Sequence, residues 1–128
     1  MSEPRVIVVD DVTDIVDEFV FYMDLVGVKT LGFCNAVDAF EALKQHETIN
    51  VVVSDVRLRH ESGLQLAKLV DMHCKTEGRD IEIILMTGEM SFTDNGQPYK
   101  VYQKPVDMTI LHDHIAQALR NVNASKPI

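Results

Sequence analysis

The chain has 128 residues, 46% hydrophobic and 25% charged, the size and composition of one globular domain, which excludes a disordered or fibrous chain. Lys and Arg number 12 against 20 Asp and Glu, a net charge of −8, which excludes a surface built to hold nucleic-acid phosphates or anionic lipid. The N-terminus, MSEPRVIVV, has only a short apolar run and no long one follows, so the expectation is a cytoplasmic protein without signal peptide, membrane span or membrane partner.

Residues 5–9 (RVIVV) are β-branched and stop at Asp10, which predicts a strand. Residues 14–26 then place Ile15, Phe19, Tyr22 or Met23, and Val26 at helical spacing, with Gly27 ending the helix. Residues 29–33 predict a second strand, and Asn35 is a suitable N-cap for a helix over 36–47 with Phe40 and Leu43 inward. Residues 50–54 (NVVVS) read as a third strand, apolar enough to be covered on both faces, running into Asp55.

Gly63 opens a helix through Leu64, Leu66, Ala67, Leu69, Val70 and Met72 that Gly78 ends. Residues 82–86 (EIILM) and 100–103 predict the fourth and fifth strands, stopping at Thr87 and at Lys104-Pro105. A last amphipathic helix spans 108–121 through Ile110, Leu111, Ile115 and Leu119. Strands alternating with helices imply βαβ units and an α/β fold with a parallel sheet covered on both sides. One stretch breaks the alternation: residues 88–98 (GEMSFTDNGQP) carry two glycines, a proline and an Asn-Gly turn signal, which predicts a loop with at most one helical turn.

The two cysteines, Cys34 and Cys74, stand in no metal or redox spacing and are expected to be reduced thiols in or beside the core. His112 and His114 are two apart on a predicted helix, so they point in different directions and make a poor ligand pair.

In an open parallel sheet, ligands gather outside the carboxyl ends of the strands. Here those ends carry Asp10-Asp11, Asp55, Thr87 and Lys104-Pro105. Three carboxylates on one rim repel, and a hard divalent cation with oxygen ligands, Mg²⁺ above all, relieves that repulsion. The lysine and hydroxyl beside them add donors that can grip a phosphoryl group. Any one of these acids could simply cap the helix that follows it. The joint pattern on four strand ends favours chemistry.

With VVDD at residues 8–11, VVVSD ending at Asp55, Gly63 eight residues later, MTG at 86–88 and QKP at 103–105, the chain resembles the receiver domain of two-component response regulators. The resemblance covers essentially the whole chain and includes the fold of the bacterial chemotaxis regulator. It implies a five-stranded doubly wound, flavodoxin-like sheet of strand order 2-1-3-4-5. It also implies a receiver domain over residues 1–122, with 123–128 a loose tail or the start of a linker.

By the same resemblance Asp55 is the phospho-acceptor, taking a phosphoryl group from a phosphohistidine on a sensor histidine kinase or histidine phosphotransfer protein. Asp10, Asp11, Asp55 and the backbone carbonyl of Arg57 would hold Mg²⁺. Thr87 would hydrogen-bond the phosphoryl oxygen and Lys104 would pair with Asp55 and then with the phosphate, with Gly88 and Pro105 supporting. The Lys104-Pro105 bond would be cis. The signal would pass to a downstream protein or an output domain, and the domain would catalyse only its own phosphorylation and dephosphorylation, acting as no enzyme on other substrates.

Three features depart from the family pattern. Arg59 stands where proline is common, so Arg57 and Arg59 either act on the aspartyl phosphate or are solvated loop residues. The position of the usual switch aromatic, three before the lysine, is Val101, and Tyr102 beside it faces the other side of the sheet. Thr87 and Lys104 are closer than usual by more than a helical turn, so the fourth helix is expected to be shortened or absent, with residues 88–98 mobile and signalling by an order–disorder change. Two other functions compete: a receiver-like module that docks constitutively, and a metal-dependent phosphohydrolase. The hydrolase would want a second acid two residues after the nucleophile, where Arg57 stands.

Overall fold

Runs of β-branched residues that no polar position interrupts form strands buried on both faces. Val6 to Val9 and Val51 to Val53 are such runs, and each is at most 2% exposed. The structure, a computed structural model, describes residues 3–89 and 98–125. Its elements follow in chain order as β1 (Val6–Val9), α1 (Thr13–Leu25), β2 (Thr30–Phe33), α2 (Ala36–Gln45), β3 (Val51–Asp55), β4 (Arg57–Leu58), β5 (Glu61–Ser62), α3 (Gly63–Glu77), β6 (Glu82–Thr87), β7 (Lys100–Gln103) and α4 (Met108–Ser125).

Five strands pair in the order β2-β1-β3-β6-β7, every neighbour parallel. With β6 and β7 as fourth and fifth strands of the sheet, this is the expected order. β2 is added on one side of β1 and the later strands on the other, and the point where the winding changes side places a crevice at the carboxyl ends of β1 and β3. In register, Val9 sits opposite Ser54, Asp55 opposite Met86, and Thr87 opposite Gln103.

Alternate residues feed two apolar layers. Ile7, Val9, Val52, Ile83 and Leu85 pack with Ala39 and Leu43 of α2 and with Leu66 and Val70 of α3. Val6, Val8, Val51, Val53 and Ile84 pack with Val16, Phe19 and Met23 of α1 and with Leu111 and Ile115 of α4. Caps follow the local chemistry. The Asn35 side chain accepts the Asp38 N–H at 2.8 Å, and Gly78 ends α3 in the left-handed conformation at φ 68°.

Several expectations change in detail. The inward stripe of α1 is Val16, Phe19 and Met23, while Val26 is exposed. Leu69 and Met72 of α3 and Ile110 of α4 also face solvent. Cys74 is half-buried but Cys34 is exposed, because it follows the edge strand β2 rather than an inner one. The last helix runs on to Ser125, past the Asn121 end that its apolar spacing predicts and into the segment read as a tail. The hairpin β4–β5, two residues a strand, had no periodicity to announce it.

Among the described residues no helix stands between β6 and β7. The expected mobility and order–disorder change of residues 88–98 fall chiefly on residues 90–97, outside the described residues. No helix among the described residues is long and apolar enough to cross a membrane.

Candidate functional site

The site is built where the inner strands end. Asp10 follows the last residue of β1 and is fully buried. One of its carboxylate oxygens accepts the Val12 N–H at 3.0 Å, bracing the turn into α1. The other receives the Lys104 ammonium at 2.6 Å. Asp10 therefore holds the turn before α1 without capping the helix itself, and takes part in the rim cluster.

Asp55, the last residue of β3, receives the same ammonium at 3.0 Å, and its second oxygen accepts the Arg57 N–H at 3.4 Å. Asp11 completes the group: one carboxylate oxygen from each of Asp10, Asp11 and Asp55 lies within 4.8 Å of the others. One lysine thus serves a cluster of three acids. Burial pushes the Asp55 carboxyl up, Lys104 pulls it down, the Asp10 charge pushes it up again, and the net position is above the usual carboxylate range. For Lys104, burial works most strongly against the ammonium, but its hydrogen bonds to Asp10 and Asp55 and the charges of those two acids together outweigh burial and raise it.

A raised carboxyl stabilises the fold only while it is protonated, so that contribution is present at acid pH and is lost as pH rises through the folded value. At neutral pH the ionised Asp55 is therefore a cost. Asp55→Asn is expected to stabilise the metal-free domain at pH 7 by about 1 kcal/mol, the scale of one partly relieved repulsion between near charges. The gain should shrink as pH falls through the raised folded value and be gone by about pH 4, the ordinary carboxylate value. Urea denaturation of both proteins at the two pH values checks this, and an Asp55→Asn protein less stable than wild type at pH 7 contradicts it.

The floor under Asp55 is Gly63. Its N–H donates to the Val56 carbonyl at 2.8 Å, and a Cβ there would lie 2.1 Å from the Asp55 carbonyl oxygen. The spacing of Gly63 marked it in the sequence, but the reason, a close approach of α3 to the end of β3, emerges only in three dimensions.

On the far side, Thr87 ends β6 and is buried. Its hydroxyl accepts the Glu89 N–H at 3.1 Å, which leaves its own hydrogen free to donate. The Lys104 N–H donates to the Thr87 carbonyl at 2.7 Å, fixing the chain from which the ammonium extends. The Lys104-Pro105 bond is cis, and Pro105 lines a cavity of about 440 Å³ with Phe19, Met86, Lys104, Val106 and Met108. Gly88 has open space where a Cβ would stand, so sterics do not explain a glycine there.

Val101 and Tyr102 divide between the two layers, as strand periodicity expects: Val101 packs on the α2–α3 side and Tyr102 on the α1–α4 side. Two features at and just before β7 were missed in the sequence. Tyr99 shares the Val101 side, and its hydroxyl donates to Asp71 of α3; burial and that carboxylate push the phenol up to about 12. Tyr102 meets His114 Nδ1 at 2.9 Å, and His114 Nε2 meets Glu82 at 3.0 Å, so His114 is a link between strands and α4 rather than a ligand. An alternation of Tyr99 with Val101 was visible in the sequence; the His114 link needed the packing of α4.

The sequence profile of the response regulator receiver domain matches residues 6–116, most of the chain. The chain belongs to the response regulator receiver family. Solved structures of similar fold include a response regulator receiver protein from Pseudomonas putida, 24% identical, covering 91% of this chain and 98% of that one with a TM-score of 0.76. A response regulator receiver domain protein from Clostridium thermocellum is 18% identical, covering 97% and 100% at a TM-score of 0.84. The signal receiver domain of a putative Luxo repressor protein from Vibrio parahaemolyticus is 17% identical, covering 96% and 95% at 0.78. No curated protein matches the chain. In this receiver domain the structure brings Asp10, Asp11, Asp55 and Lys104 together and sets Thr87 on the same rim, held to the Lys104 backbone.

Proposed function

We propose that this receiver domain accepts a phosphoryl group on Asp55 from the phosphohistidine of a sensor histidine kinase or phosphotransfer protein, in a Mg²⁺-dependent reaction. It then signals by a conformational change to a partner protein or an output domain. The observation that carries the reading is the single Lys104 ammonium bridging Asp10 and Asp55 within a cluster of three acids. An ammonium shared in this way is placed to follow charge from one oxygen to another.

The donor set fits a hard cation, since it is all oxygen and carries more negative charge than Lys104 offsets. Asp10, Asp11, Asp55 and the Arg57 carbonyl would hold it, and when bound Mg²⁺ supplies neutralisation of charge on the transferring phosphoryl. The chain's own groups do the rest. An Asp55 carboxylate oxygen forms the new P–O bond as the P–N bond to the donor imidazole breaks and its electron pair leaves with the nitrogen. Lys104, kept charged by its two aspartates, pairs with the phosphoryl oxygens, and the Thr87 hydroxyl donates its free hydrogen to one of them.

The chemistry falls on the domain's own side chain, so we read it as a switch and not as an enzyme acting on other substrates. Its acidity suits protein partners and not nucleic acid or membrane. We place it in the cytoplasm, where such donors and reduced thiols occur together.

Incubation with Mg²⁺ and acetyl phosphate is expected to add a phosphoryl mass of roughly 80 Da, acid-stable and alkali-labile, absent from Asp55→Asn. Intact-mass spectrometry reads it. A wild-type protein that stays unmodified would shift the reading to a constitutive docking module, and an adduct that survives Asp55→Asn would move the acceptor elsewhere.

A further inference from the structure

Two loops meet beside the acid cluster. Arg57, the first residue of β4, directs its guanidinium to Glu89, two residues beyond β6, and Nε pairs with Oε1. Each partner is also tied by its backbone to a site residue. The Arg57 N–H donates to Asp55, and the Glu89 N–H donates to the Thr87 hydroxyl. The ion pair therefore joins the segment that follows the acceptor at the end of β3 to the segment that follows the hydroxyl at the end of β6.

The pair is solvated, with the Arg57 side chain 78% exposed and that of Glu89 38%. Exposed pairs are weak and exchange readily. A phosphoryl group on Asp55 would bring a charge of about −1.5 to −2 and three acceptor oxygens to a position next to Arg57. Glu89 offers one negative charge and two oxygens. A planar guanidinium binds either in a two-pronged manner, and the more highly charged partner wins.

We propose that Arg57 and Glu89 form an exchangeable latch. Glu89 holds the guanidinium while Asp55 is unmodified, and the arriving phosphoryl group takes it over. Arg57 then contacts the transferring group, and Glu89 is a positioning residue that acts through Arg57 by setting how readily it is released. The inference rests on Asp55 being the acceptor. No bond other than the P–O and P–N bonds already described forms or breaks; the exchange is one ion pair for another.

The test compares initial rates of phosphorylation by acetyl phosphate with Mg²⁺ in wild type, Arg57→Gln, Glu89→Gln and the double variant at fixed ionic strength. Both side chains are exposed and Arg57→Gln keeps the backbone carbonyl, so the variants should fold, which circular dichroism confirms. Glu89→Gln is expected to raise the rate roughly two- to fivefold, the scale of a freed surface pair. Arg57→Gln should lower it, and Glu89→Gln should add nothing in the Arg57→Gln background.

Simple loss of a negative charge would also favour an anionic donor, but it would do so with or without Arg57. A gain by Glu89→Gln that persists in the double variant therefore overturns the latch, as does a Glu89→Gln rate equal to wild type. In either case phosphorylation of wild type on Asp55 leaves the proposed function standing. A wild type that takes no phosphoryl group overturns both.

Discussion

Gly63→Ala is expected to destabilise the domain by about 2–3 kcal/mol, the cost of forcing atoms into a close-packed site. Local propensity predicts the opposite sign, since alanine is the better helix former by about 1 kcal/mol and Gly63 is the first residue of α3. The contact decides it. A Cβ would fall 2.1 Å from the Asp55 carbonyl oxygen and 2.9 Å from Ser54 Oγ. The first of these is backbone at the end of an inner strand and cannot swing aside as a side-chain tip can. Relief would require α3 to move away from β3, breaking the 2.8 Å bond from the Gly63 N–H to the Val56 carbonyl. Urea denaturation monitored by circular dichroism measures the change. An unchanged or higher midpoint would mean that α3 shifts at little cost and that the glycine is not needed for the approach.

The second large effect concerns charge. Lys104→Met is expected to cost about 2–3 kcal/mol without metal, because it leaves a fully buried Asp10 carboxylate without its cation. Removing one partner of a buried pair typically costs about 3–5 kcal/mol. Lys104 and Asp55 keep 19% and 13% of their side-chain surface exposed, so water moderates the loss. Methionine preserves most of the aliphatic stem, so packing along the cavity beside Pro105 and Met108 changes little. Millimolar Mg²⁺ should recover more stability in Lys104→Met than in wild type, since the variant has more unrelieved negative charge for a cation to offset. Denaturation curves with and without MgCl₂ test both statements. Equal stability of the two proteins in the absence of metal would show that Lys104 is not what holds the acids together.

Much of the fold was legible because its strongest signals are local. The β-branched runs at β1 and β3, the Asn35 cap and the Gly78 stop each act within a few residues, right-handed crossovers follow from their alternation with helices, and the strand order was what the resemblance to receiver domains implied. The rim acids and Lys104 were legible for the same reason: each stands immediately after a strand, and the sheet does the gathering. What escaped were contacts between segments distant in sequence. The β4–β5 hairpin is too short for periodicity and is held by others: the Gly63 N–H bonds back to Val56, and Glu61 accepts the Ala36 N–H at 3.0 Å. The pairing of Arg57 with Glu89 depends on two loops meeting, which no spacing encodes. The exposure of Cys34 followed from its strand lying at the sheet edge, a property of topology and not of its neighbours.

The Lys104 ammonium touches two carboxylates at once, at 2.6 Å to Asp10 and 3.0 Å to Asp55. One positive charge is therefore divided between an acid that solvent cannot reach and one that it can. Any modification of Asp55 alters that division, so the fully enclosed Asp10, with its second oxygen on the start of α1, registers a change made at the surface. If Asp55 is the acceptor, the turn into α1 is coupled to it through how one cation is apportioned.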